Sequence, residues 1–189
     1  MLDSPDPLPG PATISPSAGA VRLRDVRFAD LPLFFRHQLD PEAIRMAAFP
    51  ARNELEFYAH WKRILQDPRV VKRTIVHEAR VAGNLVGFEQ SGRTLIGYWL
   101  GREHWGKGVA TRALADFLQI VHQRPVYAFV AKRNRASLRV LQKCGFTVVD
   151  EGAGVPPPGG EAIPELALVL GAHPVSDSRN SAPHPADRT

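Results

Sequence analysis

The sequence predicts an α+β fold, a central mixed, mostly antiparallel sheet of about six to seven strands with helices on both faces. Three observations carry this reading. Three apolar, β-branched segments separated by short turns follow one another between Val70 and Gly101. Helical apolar periods lie before that group and between the strands that come after it. One later segment, Pro125–Ala131 (PVYAFVA), is apolar on both faces, as a central strand covered from both sides should be.

Taken in order, residues 1–19 (MLDSPDPLPGPATISPSAG) and 172–189 are rich in Pro, Ser, Asp and Ala without an apolar period. They read as disordered tails around a single domain of residues 20–171. VRLRDVRF (21–28) is the first strand. ADLPLFFRHQL (29–39), PEAIRMAAF (41–49) and NELEFYAHWKRILQ (53–66) read as helices, the last with Leu55, Tyr58, Trp61, Ile64 and Leu65 at helical spacing. Strands follow at VVKRTIVHE (70–78), VAGNLVGFE (81–89) and TLIGYWLG (94–101), and the links at Ala79-Arg80 and Ser91-Gly92 predict antiparallel hairpins. From Lys107 and Gly108 a helix presents Ala110, Ala113, Leu114, Phe117, Leu118, Ile120 and Val121 as one stripe, with Arg112, Asp116 and Gln119 opposite. A strand at 125–131, a helix from Asn134, and strands FTVVDE (146–151) and PELALVL (164–170) complete the domain.

A chain of 189 residues with 44% apolar content can build a two-layer core. Its single cysteine, Cys144, excludes an internal disulfide framework and any paired-cysteine metal or redox motif. The first 20 residues hold Asp3, Asp6 and five prolines where a secretory signal needs a basic start and an apolar run. A soluble, cytoplasmic protein is expected, as a monomer or homodimer. The formal charge of +5 and pI of 9.8 call for an anionic partner to be considered. The basic residues are spread from Arg22, Arg24 and Arg27 to Lys132, Arg133, Arg135, Arg139 and Lys143, without a long aromatic-interleaved run. Solvated surface charge, a phosphorylated cofactor and nucleic acid all remain open, the last disfavoured by that pattern. The seven histidines show no H-x-x-x-H or comparable spacing, so no metal is expected.

Two segments carry chemistry. Trp105-Gly106-Lys107-Gly108-Val109-Ala110-Thr111 leads from a strand into the striped helix. The first amides of a helix lack internal partners and carry the positive end of its dipole, so a turn of small residues there can cradle a phosphate. Lys107 supports that reading, because a cation at a helix start is unfavourable without an anion beside it. An ordinary Gly-rich turn with an exposed lysine is the alternative. Neither the P-loop spacing nor a dinucleotide G-x-G-x-x-G is present, since Thr111 stands where the third glycine would be. In the second segment, Asn134 is a good N-cap, Gly145 a good C′ residue, and Ser137 shares a helical face with Asn134, Leu138, Leu141 and Cys144. That hydroxyl either bonds back to the helix or points at a ligand.

The wording Tyr98-Trp99-Leu100-Gly101-Arg102-Glu103-His104-Trp105-Gly106-Lys107-Gly108-Val109-Ala110-Thr111 resembles the acetyl-CoA signature of GNAT acetyltransferases, [Q/R]-x-x-G-x-[G/A], with the match at Trp105, Gly108 and Ala110. Trp105 departs from the usual Gln or Arg. The W-G-K-G-x-A-T wording is similar to the branch that includes the ribosomal-protein N-terminal acetyltransferases. Asn134 to Phe146 resembles the family's N-x-x-S-x-x-[V/L]-L-x-x-x-G-F motif, and the likeness runs from about Val21 to about Leu170.

The resemblance implies the GNAT fold and an acetyl-CoA-dependent N-acetyltransferase that acts by direct attack of a primary amine, a protein N-terminus or a small molecule. It implies that the amides from Trp105 to Thr111, with Asn134 and Ser137, hold acetyl-CoA. The amide of about Leu100 would bind the acetyl carbonyl, and Ser137 would protonate the leaving thiolate. Relatives often carry a carboxylate where this chain has Leu95, so the base is left among Glu89, Glu103, His104 and Glu151. His77 reads as surface or satisfied core, and Cys144 as packing. Walls for the acceptor are expected from Phe34–Trp61 and from the loop Gly152–Pro164. A non-catalytic acyl-CoA sensor and a basic nucleic-acid-binding domain are the competing functions.

Overall fold

The structure, a computed structural model, describes residues 19–48, 50–153 and 163–171. The two predicted tails and most of the Gly152–Pro164 loop lie outside the described residues. The first strand, β1 (Val21–Arg24), stops short of Phe28, where the sequence pattern had carried it. The cause is Asp30. Its carboxylate accepts two bonds from the Arg24 guanidinium at 2.6 and 2.7 Å, one from the Arg27 amide at 2.9 Å and one from the Thr74 hydroxyl at 2.7 Å. Satisfying that buried acid folds residues Phe28–Asp30 into a 3-10 turn and leaves Phe28 71% exposed.

Helices α1 (Leu31–Gln38), α2 (Pro41–Ala47) and α3 (Glu54–Gln66) follow. Asp40 caps α2 by accepting from the amides of Glu42 and Ala43, and Asn53 with Glu56 forms a capping box on α3. Leu55, placed in the apolar stripe of α3 by spacing, is 81% exposed; Phe57 and Trp61 are the residues that bury. The remaining elements are β2 (Val71–His77), β3 (Arg80–Gln90), β4 (Arg93–Leu100), α4 (Val109–Leu118), β5 (Val126–Ala131), α5 (Arg135–Lys143), β6 (Thr147–Ala153) and β7 (Pro164–Leu170). A 3-10 turn, Arg102–His104, joins β4 to the loop before α4. The predicted stripe overran α4. Its end tightens through bonds from Gln119 to Asp116 and from Ile120 to Phe117, yet Val121 still buries.

Seven strands form one open sheet in the order β1-β2-β3-β4-β5-β7-β6, antiparallel everywhere except between β4 and β5. Helices cover both faces, as the sequence predicts. On one, Val109, Ala113, Leu114 and Phe117 of α4 and Leu141 of α5 pack on Leu85, Ile96, Val126 and Ala128. Each fully buried side chain of this size contributes roughly 1.5–3 kcal/mol. On the other, Leu31 and Phe34 of α1 meet Phe57 and Trp61 of α3. Gly83 holds β3 against β4 closely enough that a Cβ there would lie 2.0 Å from the Trp99 carbonyl oxygen.

Candidate active site

The one parallel pairing makes the site. β4 and β5 share only two registered pairs, Thr94 with Val126 and Leu95 with Tyr127, and beyond Leu95 the strands part. The Gly101 amide donates to the Ala82 carbonyl at 2.8 Å. In an antiparallel ladder the preceding residue, Leu100, then turns its own amide and carbonyl to the opposite edge, into the gap beside β5. Its carbonyl accepts from Trp105 Nε1 at 2.9 Å. The gap widens into a cleft of about 400 Å³ walled by the end of β4, the loop into α4, and helices α2 and α5.

Along this cleft the α4 helix starts bare. Gly106 and Gly108 have φ of +72° and +74°, which a side chain resists, and a Cβ at either would meet nothing within 4 Å. No side chain caps α4 at its N-cap, Gly108. Trp105, Gly106, Gly108, Val109, Ala110 and Thr111 all line the cleft, so unpartnered helix-start amides border an open space. Lys107 does not line it and is exposed. The cations that do are Arg139 and Lys143 of α5. Sequence reading missed both as site residues, although their four-residue spacing puts them on one helix face. Uncapped amides, clear backbone and two cations suit a phosphorylated ligand such as CoA.

Ser137 also lines the cleft, with its amide held by the Asn134 cap at 3.0 Å. Its hydroxyl oxygen accepts a bond from Tyr98 Oη at 2.9 Å. Burial pushes the Tyr98 hydroxyl up to about 12. Tyr98 is a site residue that the motif contained but did not single out. The period of β4 was the signal, since Ile96, Tyr98 and Leu100 pack against the core face shared with α4 and α5. The predicted apolar face of α5 is only partly sealed: Leu141 is buried, whereas Leu138 and Cys144 are half-buried. The Cys144 thiol is raised by burial, with Sγ 3.5 Å from the Thr111 carbonyl, which is the environment of a packing residue.

The four carboxylate and histidine candidates separate. Glu89 pairs with Thr94 at the far end of β4, and Glu151 forms an ion pair with Lys132. Glu103 has a side chain 60% exposed and sits 3.5 Å from His37 Nε2. His104 is buried and lines the cleft. Its Nδ1 lies 3.0 Å from Nδ1 of the equally buried His77, which is therefore satisfied core. Burial lowers the His104 pKa, opposed by Glu103 and reinforced by His77 and Lys107, so the ring is neutral at pH 7. Leu95 is sealed with Tyr127 and Val169 in a separate apolar cluster. Of the expected acceptor wall from Phe34 to Trp61, the part that reaches the cleft is Ala43, Met46 and Ala47 of α2. Among the described residues no group of three potential ligands could hold a metal ion, and no helix is long and apolar enough to cross a membrane.

Comparison with known proteins agrees with the motif. A family model described as an acetyltransferase (GNAT) domain matches residues 20–147. No curated protein sequence matches the chain. Among solved structures, a spermidine N-acetyltransferase from Vibrio cholerae in complex with CoA and spermine superposes with a TM-score of 0.69 at 14% identity, over 79% of this chain and 94% of that one. A GNAT-family acetyltransferase from Bacillus anthracis gives a TM-score of 0.69 at 17% identity, over 82% and 96%. At such identities these likenesses speak for the fold.

Proposed function

This chain belongs to the GNAT acetyltransferase family, and from that premise we propose that it transfers the acetyl group of acetyl-CoA to a primary amine by direct attack. The observation that carries the reading is the splay of β4 from β5 beyond Leu95, which opens the cleft between the bare start of α4 and the Tyr98–Ser137 pair. Acetyl-CoA supplies the acyl group as a thioester. The amides of Gly106, Gly108, Val109, Ala110 and Thr111, with Arg139 and Lys143, hold its phosphates, whereas the Trp105 amide is taken by the Arg102 carbonyl at 3.0 Å. Lys107 contributes long-range attraction from outside the cleft.

The Leu100 amide, turned into the gap, donates to the carbonyl oxygen as negative charge grows there. Ser137 Oγ–H gives its proton to the departing thiolate and recovers one from solvent in the open cleft, while the Tyr98 hydroxyl, which stays protonated because its pKa lies near 12, steadies that oxygen through the hydrogen bond it donates. Neutral His104 takes the proton of the attacking amine, because it is the one candidate base that lines the cleft. The acceptor is a protein N-terminus or a small-molecule amine. The spermidine enzyme among the structural neighbours makes polyamines a natural first trial, and the W-G-K-G-x-A-T wording makes N-terminal peptides the second.

Incubation with acetyl-CoA and a panel of polyamines, amino acids and short peptides, read by mass spectrometry, tests this. The reading expects at least one N-acetylated product. A protein that acetylates no amine while still being stabilised by acetyl-CoA is an acyl-CoA sensor instead.

A further inference from the structure

The cleft passes through the sheet. Alternation along β4 sets Tyr98 and Leu100 on the face packed by α4 and α5, and Trp99 on the opposite one, where its Nε1 donates to the His37 carbonyl at 3.0 Å. That bond ties the end of α1 to β4, and Leu39 and Asp40 lead directly from α1 into α2. Helix α2 also lies against β5, so it covers the gap between β4 and β5 from the α1 side.

The two walls differ in chemistry. On the side of α4 and α5 are the bare amides, Arg139 and Lys143, which suit phosphates. On the side of α2 the wall is Ala43, Met46 and Ala47, together with Trp99. Spacing of three and four residues puts the first three on one helix face. Ala43 is buried, whereas Met46, Ala47 and Trp99 are half-buried and keep apolar surface open to whatever enters. The acids of this region are engaged elsewhere. Asp40 caps α2 through the amides of Glu42 and Ala43 and lies 3.9 Å from Arg102. Glu42 pairs with Arg45, and Glu103, with a largely exposed side chain, sits beside His37 and His104. None of these three acids lines the cleft; among the described residues, the charged side chains that do are Arg139 and Lys143.

A methylene chain or an aromatic ring gains by leaving water for such a wall. A second ammonium group loses its hydration there and meets no carboxylate on the wall in exchange. We propose that the preferred acceptor is a monoamine on an apolar body, which lies against Met46, Ala47 and Trp99 with its amine at the gap beside Leu100, and that Met46 selects it over polyamines. The inference rests on the reading of the cleft as an acetyltransferase site and adds to it the class of acceptor.

Two amines of matched size test it. Pentylamine and 1,4-diaminobutane have the same number of heavy atoms and differ in whether the far end is a methyl or an ammonium group. Measured on the full chain by thiol release from acetyl-CoA, kcat/KM for pentylamine should exceed that for the diamine at least about tenfold. Met46→Glu puts a carboxylate on the α2 wall and should move that ratio at least about tenfold toward the diamine. Met46→Ala, which only removes apolar surface, should lower the ratio about threefold or more. Thermal stabilisation by acetyl-CoA reports that each variant is folded. A diamine used as well as pentylamine by the unmodified protein, or a ratio that Met46→Glu leaves unmoved in a folded variant, would overturn the acceptor class while acetyl transfer stands. Thiol release with neither amine would also overturn the class, and release with no amine of any kind would take the transfer reading with it.

Discussion

The Tyr98 hydroxyl donates a 2.9 Å hydrogen bond to Ser137 Oγ inside the cleft, joining β4 to α5 across 39 residues of sequence. If this pair delivers the proton to the leaving thiolate, removing either hydroxyl should act on turnover. Ser137→Ala is expected to lower kcat roughly ten- to a hundredfold with little change in KM for acetyl-CoA. Tyr98→Phe should cost a similar factor, and the double variant little more than either single one, because Tyr98 acts through Ser137. Steady-state kinetics on the three variants decides it. A full-rate Ser137→Ala enzyme would assign the proton to water.

Gly108 holds φ of +74° at the start of α4, facing open space. Gly108→Val forces a β-branched residue into the left-handed region and sets its methyls beside the phosphate-binding amides. CoA affinity should fall at least about tenfold, or about 1.4 kcal/mol, by calorimetry. An unchanged Kd in a folded variant would remove the cradle.

Gly83 has no such space. A Cβ there would stand 2.0 Å from the Trp99 carbonyl oxygen and 3.0 Å from the Leu100 Cα, so Gly83→Ala must push β4 outward where it borders the cleft. Loss of about 2 kcal/mol in chemical denaturation is expected, together with reduced kcat. The contrasting change Gly92→Ala, at a turn with nothing within 4 Å, should cost only the strain of its φ of +71°.

Much of this was legible in the sequence because it is local. The β4 alternation, the glycine turn and the Asn134 cap each follow from neighbouring residues, and each stands where the pattern puts it. What was not legible is set by contacts between distant residues. β1 ends early because Thr74, 44 positions on, helps to bury Asp30. His77 is satisfied by His104 across 27 positions, which no spacing rule reveals. Lys107 reads as a phosphate ligand by its place in the motif, yet it is exposed outside the cleft, and the cations that line it, Arg139 and Lys143, come from α5, more than 30 residues further along the chain.

Asp30 gives a pH prediction. Burial raises its pKa, but the bonds from Arg24, Arg27 and Thr74 outweigh that and hold it below the ordinary 3.8. Its contribution to stability is therefore present above pH 3.8 and lost as pH falls through the lower folded value. Asp30→Asn should destabilise the protein by about 2–3 kcal/mol at pH 7. The difference from wild type should shrink below pH 3.8. Urea midpoints at several pH values check both statements.

The base assigned to His104 predicts an acidic limb in kcat/KM. Its pKa is lowered below the ordinary 6.5, so the active neutral form persists at pH 6.5 and is lost only as pH falls further. His104→Gln should lower kcat/KM about ten- to a hundredfold at pH 7 and abolish that limb. A limb that survives in His104→Gln belongs to another group.

The central claim, acetyl transfer to an amine, is tested most directly by counting free thiol. With acetyl-CoA in excess, addition of an accepting amine such as spermidine or an N-terminal peptide should release CoA thiol in equal amount to the N-acetyl product, and faster than without enzyme. Thermal stabilisation by acetyl-CoA with no amine-dependent thiol release, across polyamines, amino acids and peptides, would contradict the account and leave a protein that binds the thioester without using it.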